Sequence, residues 1–167
     1  MDAGDAEVAE ALGCGQAGEM QIRIATPADI EAWAKLRAQL WEDTSLDEHR
    51  TEIAAMLSKP RTEWAAFLGV DGEAELCAFA EAALRWDHVN GCDTTPVAFL
   101  EGIFVRPEHR QRGLGTRLLQ NVRSWARDAG CSELGSDAAL ANTRSHAFHA
   151  AAGFEETERV VFFRMRL

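Results

Sequence analysis

Tyrosine is absent from the 167-residue sequence, so no phenol is available for acid–base work. Basic side chains are in deficit: 17 Lys and Arg stand against 27 Asp and Glu, a net charge of -10. Such a chain repels phosphates, which excludes a nonspecific nucleic-acid binder. It is compatible with a cationic partner, although acidity also serves plain solubility. No uninterrupted apolar run approaches the ~20 residues of a membrane span, so no membrane partner is expected. The cysteines Cys14, Cys77, Cys92 and Cys131 show no C-x-x-C spacing and no Cys/His rhythm, so no metal site is expected. Cys77 and Cys131 lie in apolar runs and read as small core residues, while Cys92 falls in a polar loop and is expected to be exposed. A reducing cytoplasm is the simplest compartment for this usage.

What is present suits one compact unit. Hydrophobic residues make up 47% of the chain, too many for a disordered segment. A domain of this size buries about 70% of its unfolded surface and needs no covalent staple. Residues 1–19 are acidic and rich in Ala and Gly, and lack the basic start and apolar centre of a signal peptide. They are expected to form a flexible extension, with residues 20–167 as the domain. The competing reading is a short docked helix over Asp5–Leu12.

The periodic pattern begins at Gln21–Ala25, a short alternating strand. Thr26, Pro27 and Asp29 form an approximate capping box before a helix through about Leu40. A second helix is predicted from Leu46 to Leu57, closed by Pro60. Trp64–Val70 and Glu75–Leu84 read as strands around the turn Asp71-Gly72. Trp86–Pro96 is a polar loop and Val97–Val105 a strand with one charge, Glu101. A helix to about Ala129 follows, then a strand at Cys131–Asp137, a helix at Thr143–Ala152 ended by Gly153, and a final strand at Val160–Leu167. The order is that of a single mixed α/β domain.

The segment Val105–Leu119 (VRPEHRQRGLGTRLL) passes from strand through a glycine-rich turn into a helix. Gly113 and Gly115 remove Cβ atoms where a ligand would approach the backbone. The helix start supplies free N–H groups and partial positive charge, which suits a phosphate. Arg110 and Arg112 add charge. An ordinary tight connection remains the alternative. The spacing matches neither a P-loop nor a Rossmann turn.

Arg110-Gln111-Arg112-Gly113-Leu114-Gly115 fits [R/Q]-x-x-G-x-[G/A], and Asn142 with Ala147–Phe154 follows in the expected order. Together they resemble the acetyl-CoA signature of the GNAT superfamily of N-acetyltransferases, over essentially Gln21–Leu167. Leu36-Arg37-x-Gln39-Leu40-Trp41, Val89–Asp93 with Phe99–Val105, and Gly153–Val160 with Phe162-Phe163 resemble one branch, the aminoglycoside 6′-N-acetyltransferases. The resemblance implies the GNAT fold, a mixed central sheet splayed between its two central parallel strands and flanked by helices. It also implies acetyl transfer from acetyl-CoA to the 6′-amine of an aminoglycoside in a ternary complex, conferring antibiotic resistance, and a homodimer. An acetyltransferase for another amine and a non-catalytic CoA-binding module remain as rivals.

By the same resemblance, the main chain of Ile103, Phe104 and Val105 pairs with the pantetheine arm. Backbone amides of Gln111, Arg112, Gly113, Leu114, Gly115 and Thr116 cradle the pyrophosphate beside Arg110. An N–H near Phe104 faces the developing oxyanion, and Asn142 contacts pantetheine. Glu101 is a charge in an apolar strand, either solvated at an edge or there to hold the substrate amine and accept its proton. Asp137 ends the neighbouring strand and is the second candidate base, or else a turn residue. His149 stands where many family members carry a tyrosine that protonates the leaving thiolate. Trp41, His88 and Glu158 complete the substrate set, with Trp41 equally readable as a core residue. Asp43, Asp87 and Asp93 are loop acids that add to an acidic rim.

Overall fold

The computed structural model describes residues 20–167. The extension expected over residues 1–19, the helix at Asp5–Leu12 and Cys14 lie outside the described residues. Five strands form one sheet in the order β1-β2-β3-β4-β5. They are β1 (Gln21–Ile24), β2 (Trp64–Val70), β3 (Leu76–Arg85), β4 (Val97–Val105) and β5 (Leu134–Ser136). The helices are α1 (Ile30–Leu40), α2 (Leu46–Leu57), α3 (Leu114–Asp128) and α4 (Thr143–Ala151).

Strands β1 to β4 form an antiparallel meander, and β5 joins β4 in parallel. Side-chain alternation in β2 divides the core between the two faces. Trp64, Ala66 and Leu68 pack with Trp33, Leu36 and Ile53 of α1 and α2, while Ala65 and Phe67 pack with Leu114, Leu118 and Val122 of α3. Helix entry follows the chain chemistry. The Asp29 carboxylate accepts from the Thr26 N–H, and Arg23 holds that carboxyl down to about 2, chiefly by its hydrogen bonds. Ser45 and Glu48 form a reciprocal capping box on α2.

Two expected strands change. The run Cys131–Asp137 keeps only Leu134–Ser136 as strand. Cys131 N–H still closes α3 by donating to Ala126, and the Glu133 side chain is occupied by the N–H groups of Asp93 and Thr94. The final strand expected at Val160–Leu167 is not formed. Its residues extend without a partner, with Val161 77% and Phe163 94% exposed. A strand pattern marks a segment able to pair, but among the described residues it docks on neither edge strand of the sheet, β1 or β5. Cys92 is also corrected: it is half-buried and packs with Val89, Val97 and Phe99.

Candidate functional site

The parallel pairing of β4 and β5 covers only Ala98–Leu100 against Leu134–Ser136. Beyond it β4 runs on from Glu101 to Val105 with no β5 residue opposite. Along that edge, among the described residues, alternate main-chain groups are open for an extended ligand to pair with, the Val105 carbonyl excepted because Arg110 takes it. On the other side of β4, Ala82 faces Leu100 and Glu81 faces Gly102, so Glu101 is an extra residue in the ladder. Such a bulge bends the strand and re-aims the side chains beside it.

At the far end of β4 the chain turns through Pro107–His109 and enters α3. Gln111 and Gly113 adopt left-handed backbone angles, φ 61 and 74. Left-handed residues in a turn aim successive N–H groups at one point and build an anion nest. No side chain caps α3, so the first-turn N–H groups of Leu114, Gly115 and Thr116 stay available. Leu114 contributes only its backbone there, because its side chain is buried in the α3 core. Arg112 is exposed. Arg110 instead braces the turn: its Nε donates to the Val105 carbonyl at 2.8 Å and its guanidinium lies over Phe104. Phe104 itself is buried against Phe79, leaving only its main chain for a ligand.

Of the expected substrate and catalytic residues, Glu101 and Trp41 lie at the bulge, and Asp137 and His149 at the end of β5. Glu101 is exposed and ion-paired with Arg85 at 2.9 Å. The Arg85 guanidinium stacks 3.5 Å from the Phe99 ring centroid. Trp41 lies against Gly102, where a Cβ would come within 2.5 Å of its ring. It also packs on Phe79 at 5.9 Å, and Arg37 covers its ring. Trp41 is therefore a half-buried packing residue that also lies against β4 beside the bulge. Asp137 follows directly on β5 and is exposed. His149 lies on α4 with its Nε2 3.0 Å from Ser136 Oγ and its Nδ1 2.7 Å from the Ser145 carbonyl oxygen. Asn142 caps α4, its Oδ1 accepting from Ser145 N–H, which leaves its NH2 group to donate elsewhere.

His88 and Glu158 are exposed on a different stretch, the Trp86–Pro96 loop and the tail. Thr157 fills the space above Gly91 and brings tail and loop together. Asp43, Asp87 and Asp93 are exposed as well. Among the described residues no cluster of three or more His, Cys, Asp or Glu is arranged to hold a metal ion. Among them, too, no helix is long and apolar enough to cross a membrane.

The sequence profile of the Acetyltransferase (GNAT) family matches residues 29–154, most of the chain. This chain belongs to the acetyltransferase (GNAT) family. Within it, the chain is 49% identical over 146 residues to aminoglycoside N(6′)-acetyltransferase type 1 of Stenotrophomonas maltophilia, covering 87% of this chain and 93% of that protein. It is 48% identical to the Serratia marcescens protein of the same name, covering 87% and 99%. Among solved structures, AAC(6′)-Iy in complex with the bisubstrate analogue CoA-S-monomethyl-acetylneamine superposes with a TM-score of 0.83 at 42% identity, covering 90% of this chain and 100% of that one. The same enzyme in complex with CoA gives 0.86 at 41% identity, covering 93% and 100%.

Within this GNAT fold, four polar residues of the region escaped the sequence reading. Arg85 and Ser136 sit in no motif. Arg37 was read only as part of a family segment, and Glu81 only as one letter of a strand. Glu81 is 2% exposed, accepts from Trp33 Nε1 at 2.8 Å and lies 3.5 Å from Arg37 Nε. Desolvation pushes its carboxyl up to about 7, against the opposing pull of Arg37 and the Trp33 hydrogen bond. The signal available in the sequence was the position itself: a carboxylate inside LCAFAEAAL, otherwise an apolar strand.

Proposed function

We propose that this chain transfers the acetyl group of acetyl-CoA to the 6′-amine of aminoglycoside antibiotics by direct attack in a ternary complex. The observation that carries this is the joint one at β4. An anion nest and an open strand edge stand at one end, an acidic bulge at the other, in a chain that superposes along its length on an enzyme captured with a CoA–aminoglycoside conjugate.

Acetyl-CoA is the acyl-donor substrate. The free edge of Ile103–Val105 pairs with its pantetheine arm, and the N–H groups from Gln111 to Thr116 receive its pyrophosphate. The amide of Asn142 adds a donor to the arm. Glu101 and Asp137 attract the ammonium and bring it beside the thioester, and one of them, directly or through water, takes the proton that an amine must lose before it attacks. A β4 N–H near Phe104 stabilises the oxyanion. Trp41 offers a flat face to a sugar ring, with His88 and Glu158 on the outer rim. His149 supplies the proton for the departing thiolate.

The finer setting is proposed on the same basis. The apolar tail Val160–Phe163 is exposed and unpaired among the described residues, and the sheet edge of a second copy would cover it, so the enzyme works as a homodimer. Cys77, Cys92 and Cys131 are all free thiols, which suits the cytoplasm. Residues 1–19 act as an extension outside the catalytic domain. The acidic surface offers nothing to nucleic acid, and the chain acts apart from membranes.

The test is release of CoA thiol with kanamycin, spermidine and a panel of peptides. Turnover with kanamycin, and raised bacterial tolerance to 6′-amino drugs but not to 6′-hydroxyl analogues, is the expected result. No turnover with any aminoglycoside overturns the proposal.

A further inference from the structure

His149 meets the end of β5 through a side-chain contact. Its Nε2 faces the hydroxyl of Ser136, the last residue of β5, at 3.0 Å. Its Nδ1 lies 2.7 Å from the Ser145 carbonyl oxygen. A carbonyl has no proton to give, so Nδ1 carries the hydrogen and donates it. The same N–H points close to the Ser145 hydroxyl, 3.2 Å away. The only ring nitrogen left to exchange a proton is Nε2. Phe148 and Phe154 flank the ring edge-on at 5.6 and 4.9 Å and fix its plane.

The Ser136 hydroxyl has a second partner, the Leu100 carbonyl oxygen across the parallel ladder, at 3.3 Å. Two arrangements therefore satisfy every group without moving a heavy atom. With neutral imidazole, Ser136 donates to Nε2. With imidazolium, Nε2–H donates to Ser136 Oγ, and the hydroxyl proton turns to the Leu100 carbonyl, at the last paired position before the strands part. The hydroxyl thus stands between the ring and the Leu100 carbonyl, at the last paired position of β4 and β5.

We infer that Ser136 is a catalytic residue of the acetyl transfer, passing the proton of His149 to the departing thiolate of CoA. This rests on the acetyl-transfer function proposed above. The amine lone pair forms the C–N bond to the acetyl carbon, and the C–S bond breaks with its electron pair going to sulfur. Sulfur takes the Ser136 hydroxyl proton while Ser136 Oγ takes the Nε2 proton of His149. The ring ends neutral, the thiol is released, and the proton lost by the substrate ammonium to the acidic side of the site or to water restores the balance.

The measurement is the single-turnover rate of CoA-thiol release at saturating acetyl-CoA and kanamycin, for the full chain and for Ser136→Ala, Ser136→Thr, His149→Gln and the Ser136→Ala/His149→Gln pair. Ser136→Ala is expected to lose about a hundredfold, the low end for proton transfer because a thiolate leaves readily. The KM for acetyl-CoA stays unchanged, and Ser136→Thr recovers most of the rate. The double variant is expected to be no slower than the slower single variant, because both residues serve one proton. An unchanged rate in Ser136→Ala, or losses that multiply in the double variant, overturns the relay. A wild-type chain that turns over no aminoglycoside overturns the underlying function instead, so the two failures are distinct.

Discussion

Arg85 donates to both carboxylate oxygens of Glu101, at 3.1 and 2.9 Å, across the one-residue bulge of β4. The carboxylate proposed to receive a substrate ammonium is thus already matched with a cation of the chain itself. The pair is partly exposed on both sides, so the attachment is weak and exchangeable, worth up to about 1 kcal/mol.

Removing either member should have opposite consequences. Glu101→Gln is expected to raise the KM for kanamycin or lower kcat at neutral pH, with no change in KM for acetyl-CoA. Arg85→Gln frees the carboxylate and is expected to lower the kanamycin KM by roughly twofold to fivefold at low salt, following from a pair of that strength. Steady-state kinetics at two ionic strengths check both. Unchanged kinetics in Glu101→Gln would remove that residue from the site.

Gly102→Ala tests the position of Trp41. Its new methyl would meet Trp41 Cη2 at 2.5 Å, so the indole has to move. The expected result is a several-fold higher KM for the drug with acetyl-CoA binding intact, and a stability loss of about 1–3 kcal/mol, the usual range for overpacking. Urea unfolding beside the kinetics separates the two effects.

Glu81 gives a pH signature in stability. Its folded carboxyl sits near 7, above the ordinary value of 4.5. Between those values the native state holds a proton that the unfolded chain releases, so stability falls as pH rises through this window and levels off above it. Glu81→Gln removes that slope. Unfolding free energies at pH 5 and pH 8 should show the wild type losing up to about 3 kcal/mol relative to the variant. Parallel pH profiles would show that Glu81 stays ionised.

The tail makes a prediction about assembly. Replacing Phe162 and Phe163 with Glu puts charge on the segment proposed to seek a partner's edge. Sedimentation is expected to show a dimer for the wild-type chain and a monomer for the variant. A wild-type monomer, or a variant that stays dimeric, argues against pairing through this segment.

The local chemistry of the chain was legible. The Thr26 cap, the helix Leu46–Leu57, the run Trp64–Val70, the charged strand Val97–Val105 and the turn before α3 all stand where their residues place them. What stayed hidden was long-range partnership. Nothing in the letters ties Arg85 to Glu101, Trp33 to Glu81, or His149 to Ser136, because each contact needs the sheet assembled first. The same limit explains Val160–Leu167: β-branched and aromatic residues report a capacity to pair, and whether an edge exists is decided elsewhere in the molecule. Arg110 shows a subtler shortfall. Its charge suggested a phosphate ligand, while its Nε is committed to the Val105 carbonyl.

Glu101 is also the residue that the ladder does not need. With Ala82 opposite Leu100 and Glu81 opposite Gly102, deleting it would let the two neighbours close into an unbroken antiparallel register. A single lost codon would then leave a domain with a more regular sheet and no carboxylate at this point on β4. By the role proposed for Glu101, a stability screen and a drug-tolerance screen would rank that deletion differently, with folding retained in the first and tolerance lowered in the second.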